Sequence, residues 1–227
     1  MGIILIIVES ALELIPESIS RHNAVLRHAR SRGKEPTSMI LDRSYHHGAM
    51  LKLKDSGKRG RPDILHFTLL EATTIPLYFK SMLDVYVHTV DDKVIGVGKN
   101  VRLPKNYNRF IGLMEDLYSK KVITNRQGHP LLVLRESTLD SLMDRVKPSI
   151  VIGLSRHGAP KGAEYVAGIT ADRNDVCIVI GGFPRGMFRE STVRLFTEMV
   201  SISDYSLEAH VVAARVLYEV EKAIGIR

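Results

Sequence analysis

Two kinds of hydrophobic spacing alternate along the chain. Unbroken apolar runs at Ile3–Val8 (IILIIV), Ile150–Leu154 (IVIGL) and Val176–Ile180 (VCIVI), each closed by polar or glycine residues, predict strands buried on both faces, the signature of a parallel sheet. Thr37–Asp42, Val94–Val97, Leu131–Leu134, Glu164–Thr170 and the run from Met199 to Ile202 predict shorter strands, and Asp84–Val90 (DVYVHTV) a strand with strict alternation. Helical signals lie between them. One helix follows Glu9-Ser10 and runs through Arg32, with Pro16 early and Gly33 as its stop. A second opens at Pro62 and continues to about Ala72, and a third spans Tyr107–Lys120. Ser137-Thr138-Leu139-Asp140 starts a fourth that ends before Pro148. Ser206 caps the last, whose apolar stripe is Leu207, Val211, Ala214, Leu217, Val220 and Ile224, ending at Gly225.

Strands alternating with helices predict an α/β fold, a mostly parallel sheet with helices on both faces. From Asp91 to Lys147 the texture changes to short strands around one long helix. That stretch is read as an inserted small α+β lobe (91–147), with residues 1–90 and 148–227 forming the core.

Composition narrows the class. With 44% hydrophobic residues over 227 positions the chain can bury a full core, and no apolar run is long enough to span a bilayer. Neither does the start resemble a secretory signal, so a cytoplasmic location is expected. The lone Cys177 cannot form an internal disulfide and sits inside an apolar strand, which predicts an inert core thiol. Thirty-two Lys and Arg against 25 Asp and Glu give a net charge of +7, favouring a polyanionic partner. Arg59, Arg61, Arg102, Lys105 and Arg109 fall near turns and element starts, where they form either a phosphate-binding face or plain solvated charge.

Candidate chemistry gathers at strand ends. Ligands in open α/β sheets bind outside the carboxyl ends of the strands. Val176–Ile180 runs into Gly181-Gly182 and a Pro-Arg-Gly turn, and the following strand into Ser203-Asp204-Tyr205-Ser206. These two loops are either a cofactor cradle or ordinary connections. Ser155–Gly162 does not make a phosphate-binding Walker loop, because Lys161 is followed by Gly162 rather than Ser or Thr. The adjacent His46 and His47 cannot both face one metal and no further ligand joins them, so no metal site is expected; Asp42–His47 is read as a polar loop, either hydrogen-bonding or RNA-facing. In Arg61-Pro62-Asp63 the carboxylate either reaches back to the guanidinium and fixes its direction or simply caps the helix beside a solvated Arg. Tyr107 and Phe110, flanking Arg109, are either base-stacking or core residues.

Five blocks in order, RPDILHFTLLEA, VRLPKNYNRFIGLMEDLY, VIGLSRHGAPKG, VCIVIGGFPRG and SISDYSLEA, resemble the archaeal ribosome-biogenesis pseudouridine N1-methyltransferases of the SPOUT class, over essentially the whole chain. The resemblance implies a homodimer, a C-terminal trefoil knot and S-adenosylmethionine as methyl donor. It further implies the N1 atom of a pseudouridine in small-subunit rRNA as target, with ribosomal proteins or assembly factors as a further class of partner. By the same likeness, Leu154, Gly181, Gly186, Ile202, Ser203, Asp204, Tyr205, Ser206 and Leu207 would bind the donor. Arg61, Arg102, Lys105 and Arg109 would contact RNA, with Asp63 steadying Arg61. Some relatives carry an aspartate where this chain has Thr73-Thr74, so no catalytic residue is assigned. A non-catalytic rRNA-binding assembly factor that keeps the fold is the alternative.

Overall fold

The structure, a computed structural model, describes residues 2–226. Eight strands form one sheet: β1 (Ile3–Ser10), β2 (Leu83–Thr89), β3 (Lys93–Val97), β4 (Val122–Thr124), β5 (Pro130–Glu136), β6 (Ile150–Pro160), β7 (Val176–Gly181) and β8 (Glu198–Ser201). The helices are α1 (Glu17–Ser20), α2 (Asn23–Arg32), α3 (Arg43–Met50), α4 (Pro62–Thr73), α5 (Pro76–Phe79), α6 (Tyr107–Lys120), α7 (Leu139–Val146), α8 (Ala163–Asp172), α9 (Glu190–Val193) and α10 (Ala209–Ala223).

The sheet order is β4-β5-β3-β2-β1-β7-β6-β8. From β2 through β8 the pairings are parallel, and β3, β5 and β4 add antiparallel strands beyond β2. Residues 91–147 therefore extend the same sheet. Burial explains the uniformly apolar strands. Ile3, Leu5 and Ile7 face one core layer with α4, α5, α6, α8 and α10, while Ile4, Ile6 and Val8 face a second with α7 and Phe196. Period-two alternation thus feeds two cores at once. Cys177 lies in the second layer, where burial pushes its thiol up to about 12.

Several expected elements take another form. The helix expected up to Arg32 is two, because Pro16 caps α1 and the His22 ring, accepting from the Ala24 N–H, starts α2. Met39–Leu41 is extended, yet its one ladder contact is an isolated antiparallel bridge to Leu14, flanked by bonds to Glu13 and Ile15, and it stays outside the eight-stranded sheet. Asp42 accepts from Ser44 N and turns the expected polar loop into α3. Glu164–Thr170, expected as a strand, lies within helix α8: Val166, Ala167 and Thr170 are buried at helical spacing, and joining parallel β6 to β7 needs a crossover helix. The last helix is capped at Glu208 rather than Ser206, and it buries Ala213, Val216, Leu217 and Val220, leaving Val211 and Ala214 half-buried. No helix among the described residues is long and apolar enough to cross a membrane.

Candidate active site

A cleft of about 560 Å³ opens where β6, β7 and β8 end. Its floor is Leu154, Ile180, Gly181, Val200 and Ser201; its walls are the 183–188 loop, the 202–208 loop and the start of α10, with Ile64 of α4 at one side. The size lies within the roughly 300–1,000 Å³ usual for small-molecule sites. Parallel strands ending together bring their loops to this edge, the usual place for a ligand in an open α/β sheet.

Glycines shape the cleft. Beyond Leu154, β6 arches away and returns: Leu154 and Ala159 both pair with Val200, so residues 155–158 stand out from the ladder. The return needs Gly158, where a Cβ would lie 2.6 Å from backbone atoms of Met199 and Val200. Ser155–Pro160 is consequently part of a strand edge rather than the free loop the sequence suggested. On the opposite wall Gly186 has φ +97°, open to glycine and strained for other residues.

Every predicted donor-binding position except Asp204 lines this cleft: Leu154, Gly181, Gly186, Ile202, Ser203, Tyr205, Ser206 and Leu207. Asp204 is exposed and outside the lining. Sequence reading missed Arg156, His157, Arg185 and Glu208, which bring charge and proton-accepting groups to the walls. It also missed Phe183, Met187 and Phe188. Their signal was position alone, in or beside the two loops already singled out. Thr73 and Thr74 are elsewhere: both hydroxyls donate back to α4 carbonyls, of Leu69 and Leu70, at 2.7 Å.

The predicted RNA residues sit on α4 and on two segments packed against it, the stretch through Pro104 and the start of α6. Arg61 Nε and Nη2 donate to the Asp63 carboxylate at 2.8 and 2.7 Å, and that bond holds the guanidinium above its usual pKa. The segment bearing Arg102 and Lys105 is pinned to α4 by His66, whose Nε2 lies 2.7 Å from the Pro104 carbonyl. A carbonyl only accepts, so Nε2 carries a proton here, and the buried Nδ1 has no partner among the described residues. The His66 ring stacks on Phe110 at 4.2 Å. Phe110 is fully buried, which settles it as core. Tyr107 is half-buried with its hydroxyl committed to Asp42. Arg102, Lys105 and Arg109 are exposed.

Comparison with known proteins gives the family. The family model described as EMG1/NEP1 methyltransferase matches residues 5–221. The chain is 43% identical over 201 residues to the ribosomal RNA small subunit methyltransferase Nep1 of Pyrococcus furiosus, covering 88% of this chain and 87% of that protein. It is 38% identical over 222 residues to the protein of the same name from Staphylothermus marinus, covering 98% and 96%. The crystal structure of Archaeoglobus fulgidus Nep1 bound to S-adenosylhomocysteine superposes with a TM-score of 0.88 at 38% identity, over 98% of this chain and 99% of that one. The chain belongs to the EMG1/NEP1 methyltransferase family.

Proposed function

We propose that this protein is an S-adenosylmethionine-dependent methyltransferase of small-subunit rRNA, acting in ribosome biogenesis on the N1 atom of a pseudouridine. The observation that carries the reading is the cleft at the ends of β6–β8, in a chain that superposes on a Nep1 holding S-adenosylhomocysteine, the demethylated donor. The residues present fit such a ligand. Ile180, Val200, Leu207 and Val212 give the apolar surface an adenosine needs, and the main chain of 201–207 with Ser203 and Ser206 gives hydrogen-bonding groups. In this reading residues 1–90 and 148–227 carry the donor site, and the stretch through 181–208 threads as a trefoil knot. Residues 91–147 lend Arg102, Lys105 and Arg109 to the RNA.

When bound, the donor supplies an already activated methyl group on a sulfonium, so the chain needs no nucleophile. Its main task is placement: the loops hold the donor while Arg61, Arg102, Lys105 and Arg109 draw the RNA backbone across the rim. Holding reacting atoms about 3–3.5 Å apart contributes roughly 7–11 kcal/mol, against about 10²–10⁴-fold for a general base. Extruding the target nucleotide into the cleft follows the logic of base-flipping enzymes. Two side chains in the cleft lining carry groups of a kind that accepts protons, the His157 imidazole and the Glu208 carboxylate; Thr73 and Thr74 supply no carboxylate.

The reading includes a homodimer. Phe67 on α4 and Tyr218 on α10 are 49% and 60% exposed, and the Phe67 ring lies 5.8 Å from that of His210. An apolar face of this kind on two packed helices suits a twin copy. The function is tested by methyl transfer to matched hairpins with pseudouridine or uridine at one position. Transfer to the pseudouridine hairpin alone is expected; donor binding with no transfer to either would leave only an assembly role.

A further inference from the structure

The cleft wall at 183–189 is a glycine-containing loop, and something must hold it in place. The holding group comes from the far side of the chain. Lys58, in the 3-10 turn Ser56–Lys58 between α3 and α4, points its ammonium at this loop. Its Nζ donates to Glu9 Oε2 at 2.7 Å and to the Met187 carbonyl, and lies 4.4 Å from the centre of the Phe183 ring. The other Glu9 oxygen, Oε1, accepts from the Arg189 N–H at 2.7 Å. Glu9 itself is fully buried at the carboxyl end of β1, in a left-handed conformation with φ 50°. The loop is thus fastened at Phe183, Met187 and Arg189 to one buried ion pair. Gly186 fits the same arrangement, since a Cβ there would come 3.1 Å from Lys58 Cε.

We propose that Lys58 is a positioning residue for the donor site: its bridge from Glu9 to the Met187 carbonyl holds 183–189 in the shape that forms the cleft wall. The inference rests on reading the cleft as the donor site and adds a residue that does not line it. A buried carboxylate with both oxygens engaged is rigid, and only a loop already in the binding-competent shape binds at full affinity. Removing the ammonium leaves the buried Glu9 carboxylate with only the Arg189 guanidinium, 4.0 Å away and half-buried, so the loop shifts to bring that cation or water closer. If the competent fraction drops to a tenth, apparent donor affinity drops about tenfold.

The test measures S-adenosylhomocysteine affinity by calorimetry, and amide hydrogen exchange across 183–189 without ligand, for wild type, Lys58→Met and Lys58→Arg. Lys58→Met is expected to weaken binding about tenfold or more and to speed exchange at the Arg189 amide, with affinity for an rRNA hairpin unchanged. Lys58→Arg should restore most of both. If Lys58→Met does not fold, the pair Lys58→Met with Glu9→Gln removes both charges and should show the same two effects. Wild-type affinity together with wild-type exchange in Lys58→Met overturns the role of Lys58. Wild-type protein that does not take up S-adenosylhomocysteine overturns instead the reading of the cleft, while the exchange data still report whether Lys58 fastens the loop.

Discussion

Tyr107 donates its hydroxyl to Asp42 Oδ2, while Asp42 Oδ1 accepts from Ser44 N at 2.8 Å. One buried carboxylate therefore ties the first residue of α6 to the start of α3, and burial beside that carboxylate holds the Tyr107 phenol well above its usual pKa. Since α6 also carries Arg109 in its first turn, the bond sets where that cation stands. Tyr107→Phe should cost about 1.5–3 kcal/mol of stability in denaturant unfolding, the range for a hydrogen bond to a charged group. It should also weaken RNA binding while leaving S-adenosylhomocysteine affinity at the wild-type value.

His46 makes stability depend on pH. Its Nδ1 accepts from the Asp42 N–H at 3.0 Å, so in the neutral ring Nε2 carries the proton and donates to His28 Nδ1, 2.9 Å away. Burial, then the neighbouring His28, lowers the His46 pKa to about 4 from an ordinary 6.5. The unfolded chain thus takes up a proton near 6.5 that the folded chain refuses until about 4. Stability is lost as pH falls through that window, at a slope approaching about 1.4 kcal/mol per pH unit for one proton. Unfolding of wild type against His46→Gln at a series of pH values should show the difference shrinking toward pH 4; a constant difference would mean the ring is not held neutral.

Arg102 and Arg109 are exposed and free of ion pairs among the described residues, which leaves them available for phosphates. Arg102→Ala and Arg109→Ala should each weaken hairpin binding. Each lost contact should flatten the slope of log affinity against log salt by about 0.7–0.9, with donor binding unaffected. Unchanged slopes would make both residues ordinary surface charge.

Gly158 offers a test of the cleft floor. A Cβ there meets backbone, not a movable side chain, at 2.6 Å, so Gly158→Ala must push β6 from β8. The expected cost is about 1–3 kcal/mol, the range for overpacking, with a parallel loss of donor affinity. Thermal unfolding and calorimetry on the one variant check both.

Apolar runs, turn residues and the helix start at Asn106-Tyr107 made most elements legible in the sequence, because burial on both faces writes itself as uninterrupted Ile and Val. Where the reading failed, tertiary context had overridden local pattern. AEYVAGITAD is short enough to pass for a strand, and only the demand for a crossover between β6 and β7 makes it α8. Asp42–His47 looked like a loop because His46 is polar, and its neutral, bonded state in the interior is invisible before His28 is placed. The cleft was legible as two glycine- and serine-bearing loops. Lys58 was not, since its partner Glu9 is far away in sequence and no spacing rule connects them.

The central claim is that the space between Gly181–Gly186 and Ile202–Leu207 holds the methyl donor. A crystal structure with S-adenosylhomocysteine tests it most directly. Density for the whole ligand is expected in that cleft, in contact with both loops. Density elsewhere, or the two loops drawn apart with nothing between them, would contradict it.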